Sequence, residues 1–394
     1  MPELSLTTED SILAIPQTTW DHFSGGRHPF LRHSFLAALE RTGCTTADTG
    51  WQPCHLKLSL NGELVGVAPA YLKGHSMGEY VFDWAWADAY RHHGLRYYPK
   101  LLVAVPFTPC QGPRLLLEPG ARDRLRPGQI NQALDQLTTG LGLSSWHLLF
   151  PEGADQRLLN APNEAPDADH GAGQLHRLGC QFHWHNRGYS GFDDFLARLT
   201  SRKRKSIRRE RRQVLEQGIS FEHFNGDRMP ADALETFYGY YQATYFKRGQ
   251  RPYLNLDFFR ELQRQQPESL HLVMARRHGQ WIAAALFLIG DDTLYGRYWG
   301  CLEEYQHLHF ETCYYQGIEL AIERGLKLFD AGAQGEHKLI RGFEPTLTHS
   351  WHGIAHPGFR DAIARFVEDE AGQVRQYRQD AGTALPFRQD SAAD

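Results

Sequence analysis

His271-Leu-Val-Met-Ala-Arg-Arg-His-Gly-Gln-Trp-Ile-Ala-Ala-Ala-Leu-Phe-Leu-Ile289 reads as two strands, His271 to Arg276 and Trp281 to Ile289, joined at His278-Gly279. An earlier stretch has the same design. Cys54 to Leu60 and Glu63 to Tyr71 flank Asn61-Gly62, a dipeptide that supplies the positive φ angles a tight two-residue turn demands. His55-Leu56 followed by Gly62 to Ala68 matches His271-Leu272 followed by Gly279 to Ala285 at an offset near 216 residues. Trp86 and Tyr90 precede Tyr97-Tyr98 much as Trp299 and Tyr305 precede Tyr314-Tyr315. A register held across strand, turn, strand and helix points to duplication of one α/β unit rather than to a short-period solenoid.

Working outward, His28 to Thr42 carries Phe30, Phe35, Ala38 and Leu39 at amphipathic helical spacing. Tyr80 to Trp86 reads as an aromatic strand, Leu95 to Val105 and Ile130 to Leu143 as helices, and Ser145 to Phe150 as a strand ending at Pro151. The polar stretch Pro151 to Gln174 reads as a linker or surface loop. Gln181 to Arg187 then reads as a strand and Phe192 to Gln217 as one long helix, with a stripe of Phe195, Leu196, Leu199, Ile207 and Val214 and with Gly218 as its C-cap. Asp232 to Arg264 is helix-rich. The expected organisation is α/β: an N-terminal domain over 1–188, including the polar loop 151–174, and a C-terminal domain over 189–394 that ends in a polar tail.

With 394 residues, 41% hydrophobic and 22% charged, the chain has globular composition and length for two cores. Its mean hydropathy of -0.51 argues against a membrane protein. Met1 to Pro16 holds Glu3, Glu9 and Asp10 without a basic cluster or a long apolar run, so a cytoplasmic location is expected. Six cysteines, at 44, 54, 110, 180, 301 and 313, form no Cys-x-x-Cys pair; neither a disulfide framework nor a zinc site is expected. A net charge of -4 gives no global attraction to nucleic acid.

Ionisable residues crowd the second half. Leu294 to Gly300, holding Arg297 and Trp299, runs as a strand towards a helix opened by Leu308-His-Phe-Glu-Thr-Cys-Tyr-Tyr315. A strand end feeding a helix N-terminus favours an anion or a polarised carbonyl oxygen. Glu311 sits in that first turn; His309, Tyr314 and Tyr315 would line a substrate groove with Arg297 and Trp299. Leu326 to Phe329 reads as a short buried strand, and Asp330-Ala-Gly-Ala-Gln-Gly-Glu-His-Lys-Leu-Ile-Arg341 leaves it as a glycine-rich loop. Loops at strand ends are where α/β proteins bind ligands. Glu311 or Glu336 is the candidate base, His337 a proton shuttle, and Lys338 and Arg341 the candidate cations for an oxyanion, with Gly332, Gln334 and Gly335 offering backbone to substrate. No second histidine stands at metal-ligand spacing from His337, so no metal is expected. Ser201 to Arg212 adds eight basic residues; Arg202, Lys203, Arg204, Lys205, Arg208 and Arg209 make a patch suited to phosphate or RNA as well as to a solvated helix face. The first half, apart from Asp83, Asp88 and His92-His93, shows few clustered ionisable residues.

Arg204-Lys-Ser-Ile-Arg-Arg-Glu-Arg-Arg212 followed by Gly218-Ile219, Pro106-Phe-Thr-Pro-Cys-Gln-Gly-Pro-Arg114, Leu294 to Gly300, Leu308 to Tyr315 and Gly332 to Phe343 resemble the Fem-type aminoacyltransferases and, over nearly the whole chain, their FemAB-like relatives described as N-acyltransferases. The resemblance implies tandem GNAT-like acyltransferase domains, each a mixed, mostly antiparallel sheet flanked by helices. Fem-type enzymes move an amino acid from charged tRNA to an amine of a cell-wall precursor, and ordinary GNAT enzymes use acyl-coenzyme A. The chain departs from both patterns: it has no clear Gln/Arg-x-x-Gly-x-Gly/Ala pyrophosphate loop, and Ile340 stands where Fem proteins often carry a lysine before Gly-Phe, Lys338 being nearest. The expected function is direct acyl or aminoacyl transfer to an amine-bearing small molecule or cell-envelope precursor, from acyl-coenzyme A or aminoacyl-tRNA, without a covalent enzyme intermediate. The competing reading is a non-catalytic module that binds an anionic polymer or RNA.

Overall fold

A computed structural model describes residues 3–160, 175–333 and 335–388. The chain forms two compact units, Met1–Gly179 with Leu347–Gln376 and Cys180–Thr346 with Tyr377–Asp394. Both are discontinuous, unlike the uninterrupted domains 1–188 and 189–394 expected from sequence.

In the first unit, Leu4–Glu9, His55–Leu60, Glu63–Ala68 and Leu116–Leu117 form an antiparallel sheet in that order. Asn61 and Gly62 both have positive φ, 51° and 85°, as the tight hairpin turn requires. After Pro69 the chain continues as Ala70–Lys73, which pairs antiparallel with Trp51–Pro53 and with Lys100–Val103. Lys100–Val103 pairs parallel with Ser145–Leu149. Leu56, Leu58, Val65, Leu101, Val103, Trp146 and Leu148 share one core.

In the second unit the strand order is Ile219–Asn225, Leu270–Arg277, Gln280–Ile289, Thr293–Cys301, Leu328–Asp330 and then Leu175–His185, whose Cys180–His185 part belongs to this unit. His278 and Gly279 turn with φ of 49° and 79°. Thr293–Cys301 and Leu328–Asp330 are parallel neighbours. Each unit therefore runs hairpin, antiparallel strand, parallel strand; the two hairpins stand where the internal similarity placed them.

Several elements differ from the sequence reading. Tyr80 to Trp86 is not a strand: the helix Trp84–His92 begins there, burying Trp86 and Tyr90, a four-residue spacing that the alternating aromatics obscured. Leu95 to Val105 is not a helix. Pro99 blocks one, and Leu101 to Val103, fully buried between two sheet neighbours, reads as a continuous apolar run for that reason. Gly153–Leu159 is helical where a linker was expected; residues 161–174 lie outside the described residues. The helix expected over Phe192 to Gln217 is two, Phe192–Ala197 and Ser201–Glu216. Between them Thr200 N donates to Pro386 O at 2.8 Å and Leu199 bridges to Phe387, a long-range pairing that overrides helical propensity. The C-terminal stretch, for which no element was expected, contains the long helix Pro357–Thr383; residues 389–394 lie outside the described residues. The first unit also buries Lys73, Glu79, Asp83, Lys100, His147 and His352, a cluster dispersed in sequence and so invisible as a run.

Helix Ala231–Phe246 lies against Thr293–Cys301: Thr244 Oγ1 donates to Trp299 O at 3.0 Å, and a Cβ on Gly300 would stand 2.1 Å from Tyr240 O. Because that neighbour is backbone, Gly300→Ala should lower the unfolding free energy by about 3 kcal/mol, measured by urea denaturation. An unchanged midpoint would mean that the helix is not seated on the strand.

Candidate functional site

The second unit's parallel pair ends at Tyr295 opposite Asp330, while the longer strand continues to Cys301. A bulge in that continuation leaves Arg297 between the pairs Phe287–Gly296 and Leu286–Tyr298. Bulges re-aim side chains. Arg297 Nη2 donates to Asp330 Oδ2 at 2.8 Å, with both side chains 2% exposed. Burial pushes the Asp330 carboxyl up, but Arg297 outweighs it and holds the group at about 2. Asp330 Oδ1 also accepts Gly332 N at 2.9 Å, fixing the start of the loop.

Lys338 is fully buried and donates from Nζ to Ala331 O and Gly332 O at 2.8 and 2.6 Å. Burial is the main influence lowering its ammonium to about 8, against Asp330. The loop re-enters a short 3-10 helix, Glu336–Arg341, after Gly335 at φ 114°, where an added Cβ would meet the His337 ring at 2.4 Å. Glycine is required there on both counts.

The helix facing this loop changes pitch. Leu308–Phe310 is α-helical, Glu311–Tyr315 makes a π-helical turn, and Gln316–Glu323 resumes the α-helix. π-turns occur often at functional sites, and here two adjacent tyrosines are both buried with different partners. Tyr314 Oη lies 2.8 Å from His337 Nε2. Among the described residues Tyr314 makes no other hydrogen bond and burial keeps its hydroxyl protonated, so we assign the hydroxyl as donor, which puts the His337 proton on Nδ1. Tyr315 Oη donates to Glu210 Oε2 at 2.5 Å and accepts from Arg341 Nε at 3.0 Å. Arg341 completes a buried set with Glu210 Oε2 at 2.8 Å, His337 O at 2.7 Å and the Phe310 ring 3.5 Å away.

Trp299, His309, Tyr314 and His337 come together: His309 lies with ring centroids 5.2, 5.3 and 6.0 Å from the other three. Burial, reinforced by His337, Arg341 and Lys338, lowers His309 to about 4; burial also lowers His337. Both imidazoles are neutral at pH 7. Glu311 is engaged elsewhere. Its carboxylate accepts Arg211 Nε and Nη2 at 3.1 and 2.9 Å and Gln316 Nε2 at 2.7 Å. Burial raises it while Arg211 opposes. Glu336 is exposed and accepts Tyr377 Oη at 2.7 Å. Gln334 lies outside the described residues. Among the described residues no group of three or more His, Cys, Asp or Glu gathers as a metal site, and no helix is long and apolar enough to cross a membrane.

The basic run forms helix Ser201–Glu216. Arg202, Lys205, Arg208 and Arg209 are exposed, and Lys203 and Arg204 half-buried. Arg208 pairs with Asp193 at 2.7 Å; among the described residues Arg202, Lys203, Arg204, Lys205 and Arg209 have no ion pair. The sequence reading missed Glu210 and Arg211, which face inward from this run. The signal was the single acid among eight cations, three residues after Ile207 and four before Val214, on the apolar stripe itself.

With that geometry in place, a FemAB-like family model described as peptidoglycan biosynthesis/recognition matches residues 11–389. The chain belongs to that family. Among solved structures, FemX matches at 13% identity with a TM-score of 0.51, covering 88% of this chain and 98% of its own. A tandem GNAT protein from the clavulanic acid biosynthesis pathway matches at 10% identity and TM-score 0.43 (90% and 99%), and the C-terminal domain of a putative lysylphosphatidylglycerol synthetase from Agrobacterium fabrum at 9% and 0.48 (90% and 97%). No curated protein matches the sequence significantly. The fold is the mixed α/β fold of FemX.

Glu210→Ala would leave Arg341 buried without its carboxylate, and should cost about 3–5 kcal/mol in urea denaturation. The double change Glu210→Leu with Arg341→Met should recover much of that loss. If the single change costs nothing measurable, this ion pair does not hold the loop.

Proposed function

We propose that the second unit catalyses direct transfer of an aminoacyl group from charged tRNA to an amine of a cell-envelope precursor. The observation that carries this reading is the placing of two neutral imidazoles, His309 and His337, beside the loop pinned by Lys338 at the end of the parallel strand pair. The amine nitrogen attacks the ester carbonyl carbon, the carbonyl oxygen becomes negative, and one amine proton must leave before the carbon–oxygen bond to the ribose breaks. His309, neutral and without a hydrogen-bond partner among the described residues, takes that proton and returns it to the departing hydroxyl. His337 donates from Nδ1 to the carbonyl oxygen. The cationic groups act mainly by position: Lys338 holds the Ala331 and Gly332 carbonyls, and Arg341 holds the 3-10 turn. Glu311, saturated by Arg211, and Glu336, bonded to Tyr377, are not needed as the base.

The family description supports an acceptor in peptidoglycan metabolism. The unpaired cations on Ser201–Glu216 favour a phosphate-rich donor over coenzyme A. A thermal-shift comparison should show charged tRNA raising Tm, less so as salt increases, and coenzyme A without effect. Stabilisation by coenzyme A alone would overturn the donor assignment.

His309→Asn should lower turnover by about 100-fold or more with the fold intact by circular dichroism. Cys301→Ser and Cys313→Ser should each keep most activity. Complete loss in either folded cysteine variant would rule out direct transfer.

A further inference from the structure

The largest unused collection of ionisable groups lies in the first unit, around Lys100. This lysine opens the strand Lys100–Val103 and is fully buried. Its Nζ donates to Ser76 Oγ at 3.0 Å, to Glu79 Oε2 at 2.8 Å and to Asp83 Oδ2 in a short contact. Asp83 Oδ2 also accepts Tyr97 Oη at 2.6 Å. Each carboxylate thus uses one oxygen. The other two, Glu79 Oε1 and Asp83 Oδ1, are buried and have no hydrogen-bond partner among the described residues.

Buried polar atoms without partners are rare and expensive. Two on one cluster, attached to carboxylates that reach the same nitrogen and hence lie close to each other, have a common remedy. A single proton on one oxygen can be donated to the other, satisfying both and leaving one negative charge against Lys100. We propose that Glu79 and Asp83 share one proton beside Lys100, and that this proton is the latch closing the segment Gly74–Asp83 onto the strand.

The segment's construction fits a latch. Ser76, Glu79 and Asp83 are its three attachments to Lys100, and it has no regular structure between the strand Ala70–Lys73 and the helix Trp84–His92. Its outer face shows Met77 and Phe82, 46% and 54% exposed. The charged and titratable surroundings come from every packed element. Lys73, from the preceding strand, donates to Gly50 O and Met77 O and lies near His75. Tyr98 Oη meets Ser76 Oγ. Tyr97 reaches His147, which meets His352, both fully buried and kept neutral by burial first and by Lys100 and Arg177 in addition. Ser76 also bonds the Asp83 carboxylate and helps to hold it ionised, but among the described residues no hydrogen bond reaches Glu79 Oε1 or Asp83 Oδ1.

Burial raises Glu79 to about 7, Lys100 opposing and Asp83 reinforcing, while Asp83 is held at about 2 by Lys100 against burial. The sign follows. A group whose folded value exceeds its unfolded one contributes fully below the unfolded value and loses that contribution as pH rises through the folded value. The latch is therefore closed in mild acid and released as pH rises through about 7.

Hydrogen exchange by mass spectrometry on the full chain tests this. After correction for intrinsic exchange, protection of peptides covering 74–83 should fall by up to about tenfold per pH unit through the transition, the limit for one proton. Glu79→Gln, whose amide can donate to Asp83 permanently, should stay protected and lose the step. A carboxylic-acid C=O infrared band present at low pH should disappear with the same midpoint and be absent from Glu79→Gln. Should that variant not fold, Asp83→Asn, which leaves one carboxylate for Lys100, should likewise lose the step. A step that persists in a folded variant, equal wild-type protection at both ends of the range, or absence of the acid band, as a buried water between two ionised carboxylates would give, overturns the proposal.

Discussion

The second unit depends on one buried ion pair. Glu210 and Arg341 come from a helix and a loop about 130 residues apart, and the Tyr315 hydroxyl donates to the first and accepts from the second. A guanidinium removed from water is tolerated only when its donors are used, and here carboxylate, hydroxyl, main-chain carbonyl and the Phe310 face together meet that demand. The constraint runs in both directions. Arg341 can be buried only if the π-turn presents Tyr315 towards it, and the same turn presents Tyr314 to His337. The geometry at His337 is thus a consequence of how a charge some residues away is kept satisfied.

This bears on the two cations picked out for electrostatic catalysis, Lys338 and Arg341, because their hydrogen bonds tie them to the framework of the loop. Lys338 and Arg341 were attractive because cations in a glycine-rich loop can neutralise an oxyanion. Both are committed to main-chain carbonyls and to Glu210. What they leave at the surface of the loop is uncharged: an imidazole whose proton position is set by a tyrosine, and a second imidazole kept neutral by burial and by the same cations. Burial and the positive charges keep these histidines unprotonated at pH 7, and by the same effect make them weaker bases than a free imidazole.

The hairpins were legible because the turn residues Asn61-Gly62 and His278-Gly279 impose positive φ locally, and the loop after Phe329 was legible because its glycines and ionisable residues are contiguous. What was hidden depends on distant partners. Thr200 breaks a helix because Pro386 and Phe387 pair beside it, and Leu101 to Val103 is a strand because its neighbours come from other parts of the chain. Glu210 was lost among cations: composition reports a run's sign but not which member faces inward. Periodicity could have found it, since Ile207 and Val214 define the stripe on which it lies.

The two units carry related sheets but dispose of their buried charge differently. In the second, the buried cations near the loop have these acceptors: Arg297 with Asp330, Lys338 with two carbonyls, Arg341 with Glu210. The two histidines beside that framework, His309 and His337, are neutral at pH 7. In the first, one ammonium faces two carboxylates whose outer oxygens lack donors among the described residues, and the proposed shared proton is what balances the set. Duplication of a sheet therefore need not duplicate its electrostatics: a fully matched set of charges fixes a geometry, and a set short by one proton makes a geometry conditional.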